Sequence, residues 1–253
     1  MAEDGPTSRL RLRAAGEALL VSAGMVAFAL LSAAGAARGL AAAAGLVLAA
    51  LAFYLSMRTG EQPVHLFGLV PPRRRAWAVL PVGAALGAGL AVAYRWVWMP
   101  TPLPAGLAPF VLVAMAIGAG EEMLYRGYVQ GRLAAAFGVP RPVLPGRALP
   151  TAPAAQAPRR TSSTAAAHVV RLGATILLAA AAHTAYKTVL FVFPPAGIEV
   201  DYGFLMLWTL IGGVAFGALR AVAGSVWPAV AAHVAFDLVA YGDAAEAPWW
   251  VWM

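Results

Sequence analysis

The feature that most constrains this chain is a series of seven long apolar runs separated by short polar connections. The chain is 61% hydrophobic and 11% charged, whereas an average soluble domain is roughly 45–50% apolar and about 25% charged. An apolar stretch of about 20 residues can cross a bilayer as a helix. The sequence therefore predicts an all-α, polytopic integral membrane bundle of about seven or eight transmembrane helices, forming a single membrane domain over residues 1–253. The seven runs cover approximately residues 14–34, 40–57, 76–99, 105–137, 168–193, 203–219 and 225–241.

The net charge of +7 is carried mainly by arginines in the connections, which indicates membrane topology and not a nucleic-acid partner. Arginines are concentrated at the N-terminus, in residues 58–75, in residues 138–163 and at Arg220. If the runs alternate in direction, these segments share one side, which the positive-inside rule assigns to the cytoplasm. We therefore expect a multi-pass protein of the inner or plasma membrane with a cytoplasmic N-terminus. The proline-rich segment 138–163 is expected to be a cytoplasmic loop inserted between core helices.

Two further inferences concern processing and redox chemistry. Residues 9–36 also have the pattern of a cleavable signal peptide, namely basic residues, an apolar core and Ala34-Gly35-Ala36. Removal of this segment is an alternative that the sequence leaves open. The chain contains no cysteine, which excludes disulfides and thiolate chemistry.

Two adjacent carboxylates, Glu121 and Glu122, lie inside the fourth apolar run. A charged side chain at membrane depth costs several kcal/mol unless it is paired or used in function. On a helix, Glu122 and Arg126 are i,i+4 neighbours and can form an ion pair, so we assign both a structural role. Glu121 lies about 100° round the helix from Glu122. We therefore expect Glu121 to be free of that pair and to point into a cavity.

Two histidines lie in the interiors of later runs, His183 in the fifth and His233 in the seventh, and Asp237 follows His233 by four residues. A single buried histidine more often forms a hydrogen bond between helices than it performs catalysis. Counting about 1.5 Å per residue from the helix ends places His233 at a depth similar to that of Glu121 and His183 somewhat deeper, near the midplane, so the three can share a layer. Together they point to water-activating chemistry inside the bilayer. Lys187, in contrast, is expected to extend outward to the membrane surface.

At these residues the chain resembles the CPBP family of intramembrane proteases, also called the CAAX protease, bacteriocin-processing or abortive-infection family, which includes the type II CAAX prenyl endopeptidases. The family's first motif, Glu-Glu-x-x-x-Arg, matches residues 121–126. Its second motif, Phe-x-x-x-His, matches at His183, although Ala179 replaces the phenylalanine. Its last motif, His-x-x-x-Asn or Asp, matches His233 and Asp237, and the resemblance covers about residues 107–240.

The resemblance implies a helical membrane fold with a polar cavity open to the cytoplasmic side. It also implies endopeptidase activity on a membrane-anchored peptide or protein, of the CAAX type or bacteriocin-like, by a water that Glu121 and His183 activate. His233 and Asp237 would then stabilise the tetrahedral oxyanion. A carboxyl group donates a hydrogen bond only when protonated, so Asp237 has the alternative role of orienting His233.

Several alternatives follow from the same residues. A non-catalytic scaffold or an immunity-type peptide-binding protein would retain this fold and these motifs. A proton-coupled transporter is less favoured because the chain shows no repeated halves with broken helices. Glu121, His183 and His233 are also suitable zinc ligands. We favour no metal cofactor, since neither histidine belongs to a helical ligand pair and the adjacent glutamates diverge by about 100°.

Overall fold

The computed structural model describes residues 6–34, 63–71, 77–98, 108–139, 162–192 and 199–241, together with seven isolated positions between 47 and 58. The described residues contain helices and no strand, so the predicted all-α class is confirmed. A π-helical segment, Met123–Val129, joins α4 directly to α5. The α-helices are α1 (Pro6–Ala33), α2 (Pro63–Leu66), α3 (Val79–Trp98), α4 (Ala108–Glu122), α5 (Gln130–Ala136), α6 (Ser162–Leu190), α7 (Tyr202–Ala223) and α8 (Trp227–Tyr241).

Within the described residues, four helices are long and apolar enough to cross a membrane: Ser8–Ala33, Val79–Val97, Ala165–Leu190 and Tyr202–Ala223. The chain is therefore a membrane protein, but the predicted count of seven or eight transmembrane helices is not confirmed. The fourth apolar run is divided between α4, the π segment and α5. The seventh run corresponds to α8, which has only 15 residues and is therefore too short to count among the four. Most of the second run and nearly all of the predicted loop 138–163 lie outside the described residues.

The boundaries of α7 show how local side chains and backbone end a helix. Asp201 is the N-cap, and its side chain accepts a hydrogen bond of 2.9 Å from the backbone N–H of Phe204. The apolar run predicted from the sequence ends at residue 219, but the helix continues to Ala223. Gly224 then adopts a left-handed conformation with φ of 66° and donates its N–H to the carbonyl of Arg220, as a C-terminal glycine commonly does.

α1 is fastened to the rest of the bundle by a buried ion cluster and an apolar face. Glu17 of α1 is buried and pairs with Arg13 at 2.9 Å and with Arg132 of α5 at 2.6 Å. A buried carboxylate needs such partners because its desolvation is otherwise costly. The apolar face of α1 joins the largest core cluster, which includes Val21, Met25 and Phe28 from α1, Tyr125 and Tyr128 from the π segment, and Tyr186 and Leu190 from α6.

α3 and α8 approach each other so closely that only glycine fits at two positions of α3. A Cβ atom built on Gly83 would lie 2.5 Å from the carbonyl oxygen of Pro228, and one on Gly87 would lie 1.8 Å from that of Ala232. Small residues allow this backbone-to-backbone packing in membrane helices. Because Ala232 precedes His233, the contact also determines the position of that histidine.

The bundle has two distinct ends, one of which we name the arginine-rich end. There the backbone N–H of Val226 donates to the carbonyl of Gly68 at 2.8 Å, and the indole of Trp227 donates to Leu69. These bonds join the segment 63–71 to the α7–α8 turn. The guanidinium of Arg11, near the start of α1, lies against Gly138, which follows α5. The described parts of the segments predicted to share one side therefore meet at one end of the bundle.

The opposite end, which we name the aromatic end, contains the ends of α3, α6 and α8 and the start of α7. The hydroxyl of Tyr202 donates to the carbonyl of Phe191 at 2.8 Å, which ties α7 to α6. The hydroxyl of Tyr241 donates to that of Tyr94 at 3.2 Å, which ties α8 to α3. The ring of Phe204 lies 5.8 Å from that of Tyr94 and completes this cluster.

Candidate active site

The adjacent carboxylates lie at the last turn of α4 and point in different directions. The side chain of Glu121 is 7% exposed and that of Glu122 is 0% exposed. The expected pair is present, with Arg126 Nη1 at 3.2 Å from Glu122 Oε1. Glu121 contacts α6, whereas Glu122 contacts α8. The two carboxylates point in different directions, as the helical geometry predicted. Each therefore forms a hydrogen bond with a different histidine.

His183 of α6 forms a hydrogen bond with Glu121 whose direction follows from a second contact. The distance between His183 Nε2 and Glu121 Oε2 is 2.9 Å, and that between His183 Nδ1 and Arg126 Nη2 is 3.4 Å. An arginine can only donate, so Nδ1 accepts and Nε2–H donates to the carboxylate. The rings of Tyr125 and Tyr186 pack against the imidazole, with centroid distances of 4.8 and 6.3 Å, and against each other at 5.8 Å.

His233 of α8 is held by the other glutamate. Its Nδ1 lies 2.9 Å from Glu122 Oε1 and donates to it, because a carboxylate is an acceptor. Its Nε2 lies 3.8 Å from Glu121 Oε2 and 3.7 Å from Asp237 Oδ2. Both distances exceed a hydrogen bond. The i,i+4 spacing therefore brings Asp237 near His233, as expected, but without a direct bond.

Lys187 is the site residue whose role the sequence analysis missed. Its ammonium lies 2.5 Å from Glu121 Oε1, and its side chain is 16% exposed. The prediction that it extends to the membrane surface is therefore wrong. The spacing contained a signal, since Lys187 follows His183 by four residues and so shares its helix face. As a result, both oxygens of Glu121 have partners.

A cavity of about 180 Å³ adjoins these groups. Glu121 is not among its lining residues, so the expectation that this side chain itself points into the cavity is wrong. It lies behind the wall and contacts lining side chains instead. The polar lining residues include Arg126, His183, Lys187, His233 and Asp237, and the aromatic lining residues include Tyr94, Phe204, Trp208, Phe236 and Tyr241.

The donors named as zinc ligands are engaged with one another in this arrangement. His183 uses both ring nitrogens for Glu121 and Arg126, and the Lys187 ammonium is held at Glu121. Among the residues that the structure describes, no group of three or more histidine, aspartate or glutamate side chains is placed to hold a metal ion. The residues present thus form a hydrogen-bonded acid–base cluster and not an assembled set of metal ligands.

Comparison with known proteins identifies the family of this chain. A family model described as "Type II CAAX prenyl endopeptidase Rce1-like" matches residues 102–239, which is more than half of the chain and contains Glu121, Glu122, Arg126, His183, Lys187, His233 and Asp237. Searches of curated proteins and of solved structures returned no match. The chain therefore belongs to the Rce1-like family of type II CAAX prenyl endopeptidases, within the CPBP intramembrane proteases.

Proposed function

We propose that this protein is an intramembrane endopeptidase that hydrolyses its substrate with a water molecule activated by Glu121. The observation that carries the proposal is the arrangement around Glu121 Oε2, which lies 2.9 Å from His183 Nε2 and 3.8 Å from His233 Nε2 beside a cavity. A carboxylate held in this way by a neutral imidazole is suited to act as a general base. Family membership supports peptide hydrolysis as the reaction.

The reaction begins with a water molecule within hydrogen-bond reach of both Glu121 and His233. Glu121 takes one proton from the water as its oxygen attacks the carbonyl carbon of the scissile peptide bond. The resulting tetrahedral intermediate collapses when the C–N bond breaks, and the proton on Glu121 passes to the leaving amine. The products are a carboxylic acid and an amine, which balances the hydrolysis.

The oxyanion of this intermediate is stabilised by donors on the cavity wall. His233 and Lys187 both line the cavity and both lie beside Glu121. Because Nδ1–H of His233 already donates to Glu122, His233 donates from Nε2 to the oxyanion in its protonated, imidazolium form. Fixed donors of this kind stabilise developing negative charge strongly where water is excluded. Asp237, 3.7 Å from His233, is proposed to orient that imidazole and so to keep its Nε2 directed at the reacting carbonyl. Glu122 and Arg126 support the site by holding His233 and His183.

The proposed mechanism does not use a metal ion. Arg126 and Lys187 already place two cationic groups next to His183 and Glu121. A divalent cation at the same position would be repelled by both, and it would also have to displace the proton that His183 donates to Glu121. Water activation by Glu121 requires only the hydrogen bonds described above.

The substrate class is proposed to be a membrane-anchored peptide or protein, either of the CAAX type or bacteriocin-like. The whole chain is proposed to be one membrane domain of the inner or plasma membrane, with the N-terminus and the loop 138–163 in the cytoplasm. The arginine content of those segments supports this orientation.

Reconstitution of the purified protein with a panel of membrane-anchored peptides tests the proposal. Mass spectrometry of both products should show cleavage of at least one peptide by the wild type, and none by Glu121→Gln at equal folded amount. A wild-type protein that binds peptides but cleaves none of them would favour the alternative of a non-catalytic peptide-binding protein.

A further inference from the structure

One face of α7 lines the cavity with aromatic side chains and has a gap between two of them. The cavity-lining residues at four-residue spacing along this helix are Phe204, Trp208, Gly212 and Phe216. Residues at this spacing lie one above the other on the same face of a helix. Because the third of the four has no side chain, the row leaves an open space at Gly212 between Trp208 and Phe216.

No packing contact in the described part of the chain requires a glycine at position 212. A Cβ atom built there would have one neighbour within 4 Å outside the local helix backbone, Cε2 of Phe216 at 4.0 Å, which is an ordinary contact distance. A Cβ on Gly213 would instead lie 2.8 Å from that of Ala180. The backbone at Gly212 does not have a positive φ. Since glycine is less favourable than alanine inside a helix, its presence here has a cost that packing does not explain.

The gap lies close to the acid–base cluster. The ring of Phe216 packs against that of His233, with centroids 5.7 Å apart, and the guanidinium of Arg126 lies 5.8 Å from its centroid. Gly212 precedes Phe216 by about one helical turn, which is about 6 Å along the helix axis. Consecutive Cα atoms of a peptide are about 3.8 Å apart. A substrate whose scissile carbonyl is bound at His233 therefore has a neighbouring side chain within reach of the gap.

We propose that Gly212 determines which side chain the substrate carries next to the scissile bond, by leaving room for a large apolar one. The walls of the gap are the rings of Trp208 and Phe216, and Ile117 and Phe236 also line the cavity. Apolar surroundings bind leucine or phenylalanine better than alanine, because more apolar surface is removed from water. They disfavour a charged side chain, whose desolvation would be uncompensated. This specificity deepens the proposed function and rests on it.

Graded substitution of Gly212 tests the proposal with a set of membrane-anchored peptides. Starting from a peptide that the wild type cleaves, the residues flanking the scissile bond are changed one at a time to alanine, leucine or phenylalanine. At one flanking position, leucine or phenylalanine should give the wild type a kcat/KM at least about tenfold higher than alanine does. Gly212→Leu fills the gap and should reverse that order, and Gly212→Ala should give an intermediate preference.

Gly89→Leu is the matched control, because Gly89 lies in open space on α3 and does not line the cavity. It should keep the wild-type order of the peptides. Gly212→Ala should resist unfolding by SDS at least as well as the wild type, since alanine favours the helix, so this variant tests the preference even if Gly212→Leu folds poorly. An unchanged order of the peptides, or an equal loss for all of them in the folded variants, would overturn the proposal.

Cysteine labelling separates the failure of this proposal from the failure of the proposed function. The chain has no cysteine, so Gly212→Cys introduces a single thiol. N-ethylmaleimide should react with it, and a saturating amount of the leucine-containing peptide should slow that reaction at least about tenfold. The thiol of Arg9→Cys, exposed near the start of α1, should react equally fast with and without peptide. If no peptide is cleaved, the proposed function fails, and protection of Cys at position 212 then decides whether the gap binds a peptide side chain. Labelling at position 212 that the peptide does not slow would overturn the proposal.

Discussion

Removing Glu122 should destabilise the fold strongly, because its carboxylate is the main partner of two buried groups. Glu122 and Arg126 are both fully buried, and their charged atoms lie 3.2 Å apart. Removing one partner of a buried ion pair typically costs about 3–5 kcal/mol, since the other charge is left uncompensated. His233 also loses the acceptor for its Nδ1–H, which costs about 1–3 kcal/mol in isolation. Both contacts use the same oxygen, so we expect a combined loss of about 3–5 kcal/mol and not the sum.

The assay is unfolding of the purified protein in mixed micelles by titration with SDS, followed by tryptophan fluorescence. Glu122→Ala should lower the free energy of unfolding by about 3–5 kcal/mol. Glu122→Gln keeps an acceptor for His233, and its loss should be smaller. The double variant Glu122→Gln with Arg126→Met removes both charges, and it should recover much of the loss because no buried charge then lacks a partner.

Glu121→Gln is the matched control for this series. Its main cationic partner, Lys187, is partly exposed and is expected to be hydrated when the carboxylate is lost. Glu121→Gln should therefore destabilise less than Glu122→Ala. A loss of under about 1 kcal/mol for Glu122→Ala would refute the assignment of Glu122 as the support of the site. A double variant that is less stable than both Glu122→Ala and Glu122→Gln would refute it as well.

Three further predictions concern packing, the lysine and the metal. Gly87→Ala should lower folded yield and activity because its Cβ would lie 1.8 Å from the carbonyl oxygen of Ala232. Gly89→Ala, in open space on the same helix, should leave yield and activity unchanged, and equal yields for the two variants would contradict the close packing of α3 and α8. Lys187→Met should lower kcat at least about tenfold with little change in KM, and Lys187→Arg should recover part of it, because the cation positions Glu121; equal losses in both variants would point to a purely steric role. Elemental analysis of active protein should find far less than one zinc per chain and cleavage that resists chelation, and stoichiometric zinc whose removal abolishes cleavage would reverse the metal-independent mechanism.

Much of the site could be predicted from the sequence because charged residues are so costly in an apolar run. Glu121, Glu122 and Arg126 are conspicuous for that reason, and the 3.6-residue period of a helix correctly separated the two glutamates. His183 and His233, which were expected to share a layer, lie close together in the structure, with ring centroids 6.2 Å apart.

Other features depend on tertiary contacts that a one-dimensional pattern does not contain. The sequence does not show that α4 changes to a π-helix after Glu122, since no residue type specifies that change. The cavity also depends on which helices pack together, and the sequence alone does not show this. Glu121 was therefore expected to line the cavity, whereas Lys187 and the two histidines line it instead. Gly87 is one of many glycines in the chain, and its role becomes visible only when α8 is in place.

The central claim is that Glu121 activates the attacking water, and a single-turnover rate measurement tests it most directly. Wild type and Glu121→Gln are reconstituted at equal folded amount, as judged by unfolding, with the same membrane-anchored peptide. General-base catalysis typically contributes about 10²–10⁴-fold, so the account predicts that Glu121→Gln cleaves at least about a hundredfold more slowly. Cleavage by Glu121→Gln at a rate close to that of the wild type would contradict the account.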